Sequence, residues 1–142
     1  MATDTGIPLG HVAETLAHSN LVHVFSQRDA TLRLEAIKKT YHPDVQFAEP
    51  DGRVCIGHDA LNKKACSVLE EHPGWGFVPK GNVKQTREMV YLAWGFGPLD
   101  EGGELARAQG RVDVQVTGAD VLIVEEGLIR RFWVIVDGMS DV

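Results

Sequence analysis

Val45-Gln46-Phe47-Ala48-Glu49-Pro50-Asp51-Gly52-Arg53-Val54-Cys55-Ile56-Gly57 is the stretch where the chain changes period. Before it, apolar residues recur at helical spacing; after one further helix they mostly alternate. Side chains alternate across a strand, so Val45, Phe47 and Glu49 share one face of a short strand. Pro50-Asp51-Gly52 reads as a turn. Arg53–Ile56 returns as a second short strand. Glu49 thus closes an apolar strand face immediately before a proline.

Upstream, Leu9, Val12, Ala13, Leu16, Ala17, Leu21 and Val24 follow i, i+3, i+4 spacing and predict one long amphipathic helix through Gln27. Pro8 suits its start, and residues 1–8 read as a loose tail. His11, Thr15, His18 and Val22 fall on its outer side. Asp29 can cap a second helix by accepting from free amides of the first turn. Leu34, Ile37 and Tyr41 form its inner stripe, and Pro43 ends it at His42 by disfavouring helical geometry there. Downstream, Gly57 precedes a third helix carrying Ala60, Leu61, Lys64, Ala65, Val68 and Leu69, with Asp59 near its positive end and His72-Pro73-Gly74 as its stop.

From Trp75 onward the pattern is that of strands. Phe77–Gln85 and Glu88–Phe96 are two, with glycines at 76, 81, 95 and 97 allowing bends or bulges. Residues 106–117 alternate cleanly and predict one continuous strand. Asp120–Val124 and Leu128–Val136 follow, split by Glu125-Glu126-Gly127. Both are apolar on two faces, which predicts strands that are central or covered on both sides. Helices first and antiparallel strands second is the segregated α+β arrangement.

The 142 residues suit one domain, and 44 % apolar with 24 % charged residues is an ordinary globular composition. A formal charge of −6 argues against a dedicated nucleic-acid or anionic-membrane surface. No apolar run approaches the ~20 residues of a membrane helix, and the N-terminus lacks a basic segment followed by an apolar one. A cytoplasmic protein is the expectation. Cys55 and Cys66 show neither C-x-x-C nor zinc spacing and read as reduced thiols.

Three segments carry a family resemblance: Tyr41–Pro50 followed by Gly57 opening a helix; Tyr91-Leu92-Ala93-Trp94-Gly95-Phe96-Gly97-Pro98; and Gly118–Ile129 running on to Phe132 and Asp137. In order and spacing they resemble a nuclear transport factor 2-like domain of the SnoaL-like type, over residues 9–142. The resemblance implies a cone-shaped α+β fold, with three N-terminal helices on a strongly curved, mainly antiparallel sheet enclosing a deep apolar pocket. It also implies a homodimer.

Fold alone does not settle function. In the ketosteroid isomerase branch a strand after the second helix ends in an acid-Pro pair whose acid is the general base; Glu49-Pro50 is similar in position. A protonated aspartic acid opening a late strand donates to the oxyanion there, and Asp120 is similar in position. The oxyanion tyrosine of that branch has no counterpart in the first helix, where His23 and Phe25 stand nearest.

From chemistry, an apolar wall raises a carboxyl pKa towards neutrality. A Glu49 so tuned can take a proton next to a carbonyl, and Asp120 held neutral can donate to the enolate oxygen. Phe47, Trp94, Tyr41, Phe25, Phe132 and His58 are the candidate ligand contacts, although the plainer reading of each aromatic is core packing and that of His58 is a cap or a solvated ring. The implied activity is isomerisation, cyclisation or dehydration of a small apolar carbonyl compound, needing no metal or organic cofactor. Alternatively, Glu49 ends an edge strand in water and the domain binds a ligand without turning it over. Arg111 and Asp113 offer half of an epoxide-hydrolase relay whose second aspartate falls at Val134. His42-Pro43-Asp44 echoes the loop of J-domain co-chaperones, but the strand predicted directly after it opposes that reading.

Overall fold

The computed structural model describes residues 6–142. The sequence-based tail lies partly outside the described residues; of its remainder, the Pro8 carbonyl accepts from Gln85 Nε2 at 2.7 Å. Helix α1 spans Gly10–Ser19 and α2 Ala30–Thr40. Between them Asn20–Phe25 winds as a π-helical segment, so the single helix expected through Gln27 is interrupted. Asp29 Oδ1 caps α2 by accepting from the Thr31 and Leu32 amides, as its position predicts.

Strand β1 (Tyr41–Ala48) follows α2 without a loop. This corrects the expected helix end: Tyr41 is already extended, and Pro43 sits where the β1 register shifts. A proline is tolerated there because the ladder needs no amide from it. His42-Pro43-Asp44 is therefore part of a strand, not a loop between helices. β2 (Val54–Ile56) pairs antiparallel with β1, and α3 (His58–Glu71) follows.

β3 (Trp75–Thr86) and β4 (Met89–Pro98) form a long hairpin with an irregularity between Lys80 and Lys84. There Gly81, at φ +82°, takes a conformation that L side chains rarely adopt. The strand predicted over residues 106–117 is absent. Gln109 and Gly110 have φ of 54° and 76°, the signature of a tight hairpin turn. They fold the segment into a small ladder of β5 (Arg107–Ala108) and β6 (Arg111–Val112). β7 (Val116–Glu125) and β8 (Leu128–Val136) complete the main sheet.

The sheet runs β2-β1-β8-β7-β4-β3, so the two doubly apolar strands are central. All its pairings are antiparallel except β1 with β8. Three helices against a mainly antiparallel curved sheet make an α+β fold. The core lies between them: Val90, Leu92 and Trp94 on β4, Leu122 and Val124 on β7, and Phe132 on β8 pack under Ala13, Ala17, Leu21 and Val24.

A buried carboxyl on an aromatic cavity

Between the sheet and the helices lies a cavity of about 230 Å³. Its sheet side is aromatic, with Phe47, Phe77, Trp94, Phe96 and Phe132. The rings interlock: Phe47 stacks on Phe132 at 4.7 Å, Phe77 on Phe96 at 4.3 Å, and Phe77 meets the edge of Trp94 at 5.0 Å. Helix α3 adds Lys64 and Val68, the His72 that caps its C-terminus adds an imidazole, and the π-helical segment adds Asn20, Leu21 and Phe25.

Among the described residues, Asp120 is the one acid on this lining. It projects inward from β7, register-paired with Leu92 of β4 and Val134 of β8, and is 3 % exposed. Trp94 Nε1 donates to Oδ1 at 3.0 Å, and Asn20 Nδ2 donates to Oδ2 at 2.8 Å. Burial among apolar neighbours pushes its carboxyl up to about 8, against the opposing pull of those two hydrogen bonds. At pH 7 the neutral acid is therefore the prevailing form. In the neutral form the carboxyl carries one O–H donor in addition to the two bonds it accepts.

Two features place this network. The Tyr41 hydroxyl, fully buried, donates to Asn20 Oδ1 and so directs the amide's N–H₂ towards Asp120. Burial, and then the Asp120 charge, raise the Tyr41 phenol well above its ordinary value, so it remains a donor. Gly118, the β7 partner of Trp94, lets the indole lie across the strand. A Cβ at Gly118 meets Trp94 ring carbons at 2.6 and 2.7 Å and the Ile135 carbonyl oxygen at 2.2 Å.

Glu49 is placed differently from the sequence expectation. It lies just beyond β1, off the cavity lining, while its neighbour Pro50 is on it. Lys64 Nζ pairs with Oε1 at 2.8 Å and Cys55 Sγ contacts Oε2 at 3.4 Å. The Lys64 hydrogen bond outweighs partial burial and lowers the Glu49 pKa. The raised pKa expected of an apolar setting is thus reversed, because a lysine one helix away supplies the counter-charge.

Phe47, Trp94, Phe25 and Phe132 line the cavity, whereas Tyr41 and His58 do not. His58 instead meets the Tyr41 backbone oxygen at 2.9 Å through Nε2. His23 is exposed, and Asn20, three residues earlier, supplies the polar contact from this part of the chain. Arg111 is exposed on the small hairpin, and neither it nor Asp113 reaches the cavity, although Val134 lines it. Sequence reasoning missed Asn20, Lys64 and His72. Asn20 carried a usable signal: an amide on the apolar stripe of an amphipathic helix calls for a buried partner.

This architecture is that of the SnoaL-like and nuclear transport factor 2-like fold. A candidate isomerase of the SnoaL-like family from Agrobacterium tumefaciens superposes with a TM-score of 0.73 at 18 % identity, covering 90 % of this chain and 99 % of that one. A candidate ketosteroid isomerase from Kribbella flavida gives 0.61 at 14 % identity, covering 89 % and 78 %. A candidate SnoaL-like polyketide cyclase from a Jannaschia species gives 0.62 at 13 % identity, covering 92 % and 95 %. No protein-family model matches the sequence, and no curated protein sequence does.

Proposed function

We propose that this chain is a cofactor-independent enzyme of the isomerase, cyclase or dehydratase type acting on a small apolar carbonyl compound. The observation that carries the reading is Asp120: a buried, neutral acid on an apolar cavity, oriented by Trp94 and Asn20. A substrate carbonyl oxygen accepts the Asp120 proton's hydrogen bond. As an adjacent C–H is lost and the enolate forms, that bond strengthens in a water-poor site, which is the condition for lowering a barrier. Glu49, kept ionised by Lys64 just off the lining, is the base in this reading. Its lowered pKa makes it a weaker base than an apolar setting produces, which leaves Asp120 the larger share of the work. The cavity sits below the roughly 300–1,000 Å³ of ordinary ligand sites, which favours a substrate of one or two rings. Phe47, Trp94, Phe25 and Phe132 are the proposed ligand contacts, with Tyr41 and His58 acting through their neighbours. The active unit in this proposal is a homodimer.

The test uses 3-cyclohexen-1-one, whose isomerisation to the conjugated enone is followed by absorbance. Wild type is expected to accelerate it, and D120A to lose about 10²-fold or more of that rate. A second reading, a non-catalytic binding module, is favoured by Asp120 already having both oxygens engaged by protein donors. That reading prevails if wild type binds 2-naphthol in the cavity yet leaves the enone reaction at its background rate.

A further inference from the structure

The cavity has a closed end and an open one. At the closed end stand Asp120 and Trp94, 3 % and 2 % exposed, and the fully buried Asn20. β1 and β8 run parallel and finish at the other end, where β4 also stops and β3 and β7 begin. Val134, beside Asp120 in register, and then Val136 carry the wall towards that end and are half-buried. A strand rises about 3.3 Å per residue, so the wall runs roughly 7 Å from the level of Asp120 to Val136. That length suits a ligand of two fused rings.

Past Val136 the chain turns, and Met139 on this turn lines the cavity although it is 68 % exposed. The backbone of the turn is pinned on both sides. The Ser140 N–H donates to the Val136 carbonyl at 2.8 Å, and Ser140 Oγ accepts from the Val136 N–H at 3.0 Å. The Asp137 N–H donates to the Thr117 carbonyl at 3.0 Å, and the Thr117 hydroxyl donates to Asp137 Oδ2 at 2.6 Å. Gly138 takes the left-handed φ of +86° that the reversal needs, and its N–H donates to Asp141 Oδ1 at 3.1 Å. What remains free to move is the Met139 side chain, unbranched, with three rotatable bonds and a soft thioether. Its neighbours on the rim are more constrained: Pro50 by its own ring, and His72 by stacking on Trp75 at 4.9 Å.

Resting on the pocket-enzyme reading above, we infer that Met139 is the cap of this cavity and a specificity-determining ligand contact. With the polar atom of a ligand at Asp120, a second ring reaches the level of Val136, and the thioether folds down against it. Sulfur makes favourable contacts with an aromatic ring at about 5 Å. The fold-down takes apolar surface of both partners out of water, and the ligand leaves only after the side chain has lifted. A one-ring ligand stops short of Val136 and gains little from the cap. Met139 therefore selects for length among apolar ligands that share the same polar end.

The experiment measures binding of 2-naphthol and of phenol to wild type, M139A and M139L, with thermal unfolding as the folding control. The chain has three methionines, so methyl NMR spectra with labelled methionine are simple, and M139L assigns the Met139 signal. Saturation with 2-naphthol is expected to move that signal upfield by ring current. Met89, at the opposite end of β4, is expected to stay in place. M139A is expected to lose about tenfold in affinity for 2-naphthol through faster dissociation, and less than about twofold for phenol. M139L, which restores an apolar side chain of similar size, is expected to recover most of the loss. An unmoved Met139 signal, wild-type affinity for 2-naphthol in M139A, an equal loss for phenol, or no binding of 2-naphthol at millimolar concentration overturns the inference. These outcomes separate from the catalytic reading: enone turnover with an unmoved Met139 signal sinks the cap alone. A moved signal with no turnover leaves the cap intact and sinks the enzyme.

Discussion

At the scale of the residue, Asp120 shows how position decides what a carboxyl can do. The same side chain in water ionises near the ordinary aspartate value. Here, between Leu92 and Val134 in register, it holds its proton up to about 8. The sign of the consequence follows by linkage. The folded protein holds this proton where the unfolded chain has released it, so unfolding releases a proton between about pH 4 and pH 8. Stability from this group is therefore greatest below that window and falls as pH rises through it, by at most about 1.4 kcal/mol per unit. Urea unfolding between pH 5 and 8 is expected to show a falling midpoint in wild type that is absent in D120N. Identical slopes in the two proteins would refute the neutral acid.

Tyr41 is the second residue with a definite cost. Y41F leaves the ring packed but takes away the donor that orients Asn20. The buried Asn20 oxygen then lacks its partner, which costs about 1–3 kcal/mol. The amide is also free to reverse and withdraw its N–H₂ from Asp120. Unfolding free energy is expected to drop by that amount, with a fall in enone turnover beyond what the residual folded fraction explains. Full activity in a destabilised Y41F would show that Asn20 orientation does not matter.

At the scale of the element, the instructive pair is the π-helical segment and the Trp94–Gly118 crossing. The apolar spacing of residues 9–27 is that of an ordinary helix, and Ala13, Leu16, Ala17, Leu21 and Val24 are buried as it predicts. From Asn20 to Phe25 the segment winds wider than that spacing predicts, and such segments often sit at functional positions. Gly118 has a stricter requirement. In G118A the added methyl faces the Ile135 carbonyl oxygen and the Trp94 ring, so strand or indole must move. Overpacking of this kind costs about 1–3 kcal/mol. The expected result is a lowered Tm together with a shifted indole Nε1–H resonance for Trp94 as its bond to Asp120 is lost. An unchanged resonance would show that the strand yields instead.

At the scale of the whole molecule, the outer face of the sheet carries an exposed apolar patch. Trp133 and Ile135 of β8 are 38 % and 40 % exposed, Val54 and Ile56 of β2 more so. Arg131 lies over the Trp133 ring at 5.6 Å. Trp133 is register-paired with Ala48 on one side and Val121 on the other, which extends the patch across the central strands. The proposed homodimer uses this face, and a two-fold contact makes each patch its own partner. Sedimentation is expected to give a dimer for wild type and a monomer for W133E, with 2-naphthol binding retained. A monomeric wild type at micromolar concentration would dismiss the proposal. Among the described residues no helix is long and apolar enough to cross a membrane.

Much of this was readable from the chain alone, because periodicity and local breakers act over a few residues. The α+β order, the Asp29 cap, β8 at Leu128–Val136, and the central place of the two doubly apolar strands all follow from neighbours in sequence. The alternation of residues 106–117 misled for a physical reason: Gln109-Gly110 can take the two positive φ values of a tight turn, and a polar–apolar pattern runs through a hairpin as readily as through one strand. The pairing of charges across the fold was not readable at all. Glu49 and Asp120 are both acids placed by apolar strands, and nothing beside either one distinguishes them. Lys64, fifteen positions on from Glu49 and brought back by α3, keeps the first ionised. Asn20, one hundred positions before Asp120, meets the second together with Trp94 where burial keeps it neutral. Which elements form is set by short-range geometry that the sequence carries within itself. Which acid holds its proton is set by desolvation and by partners that only the folded chain brings within 3 Å.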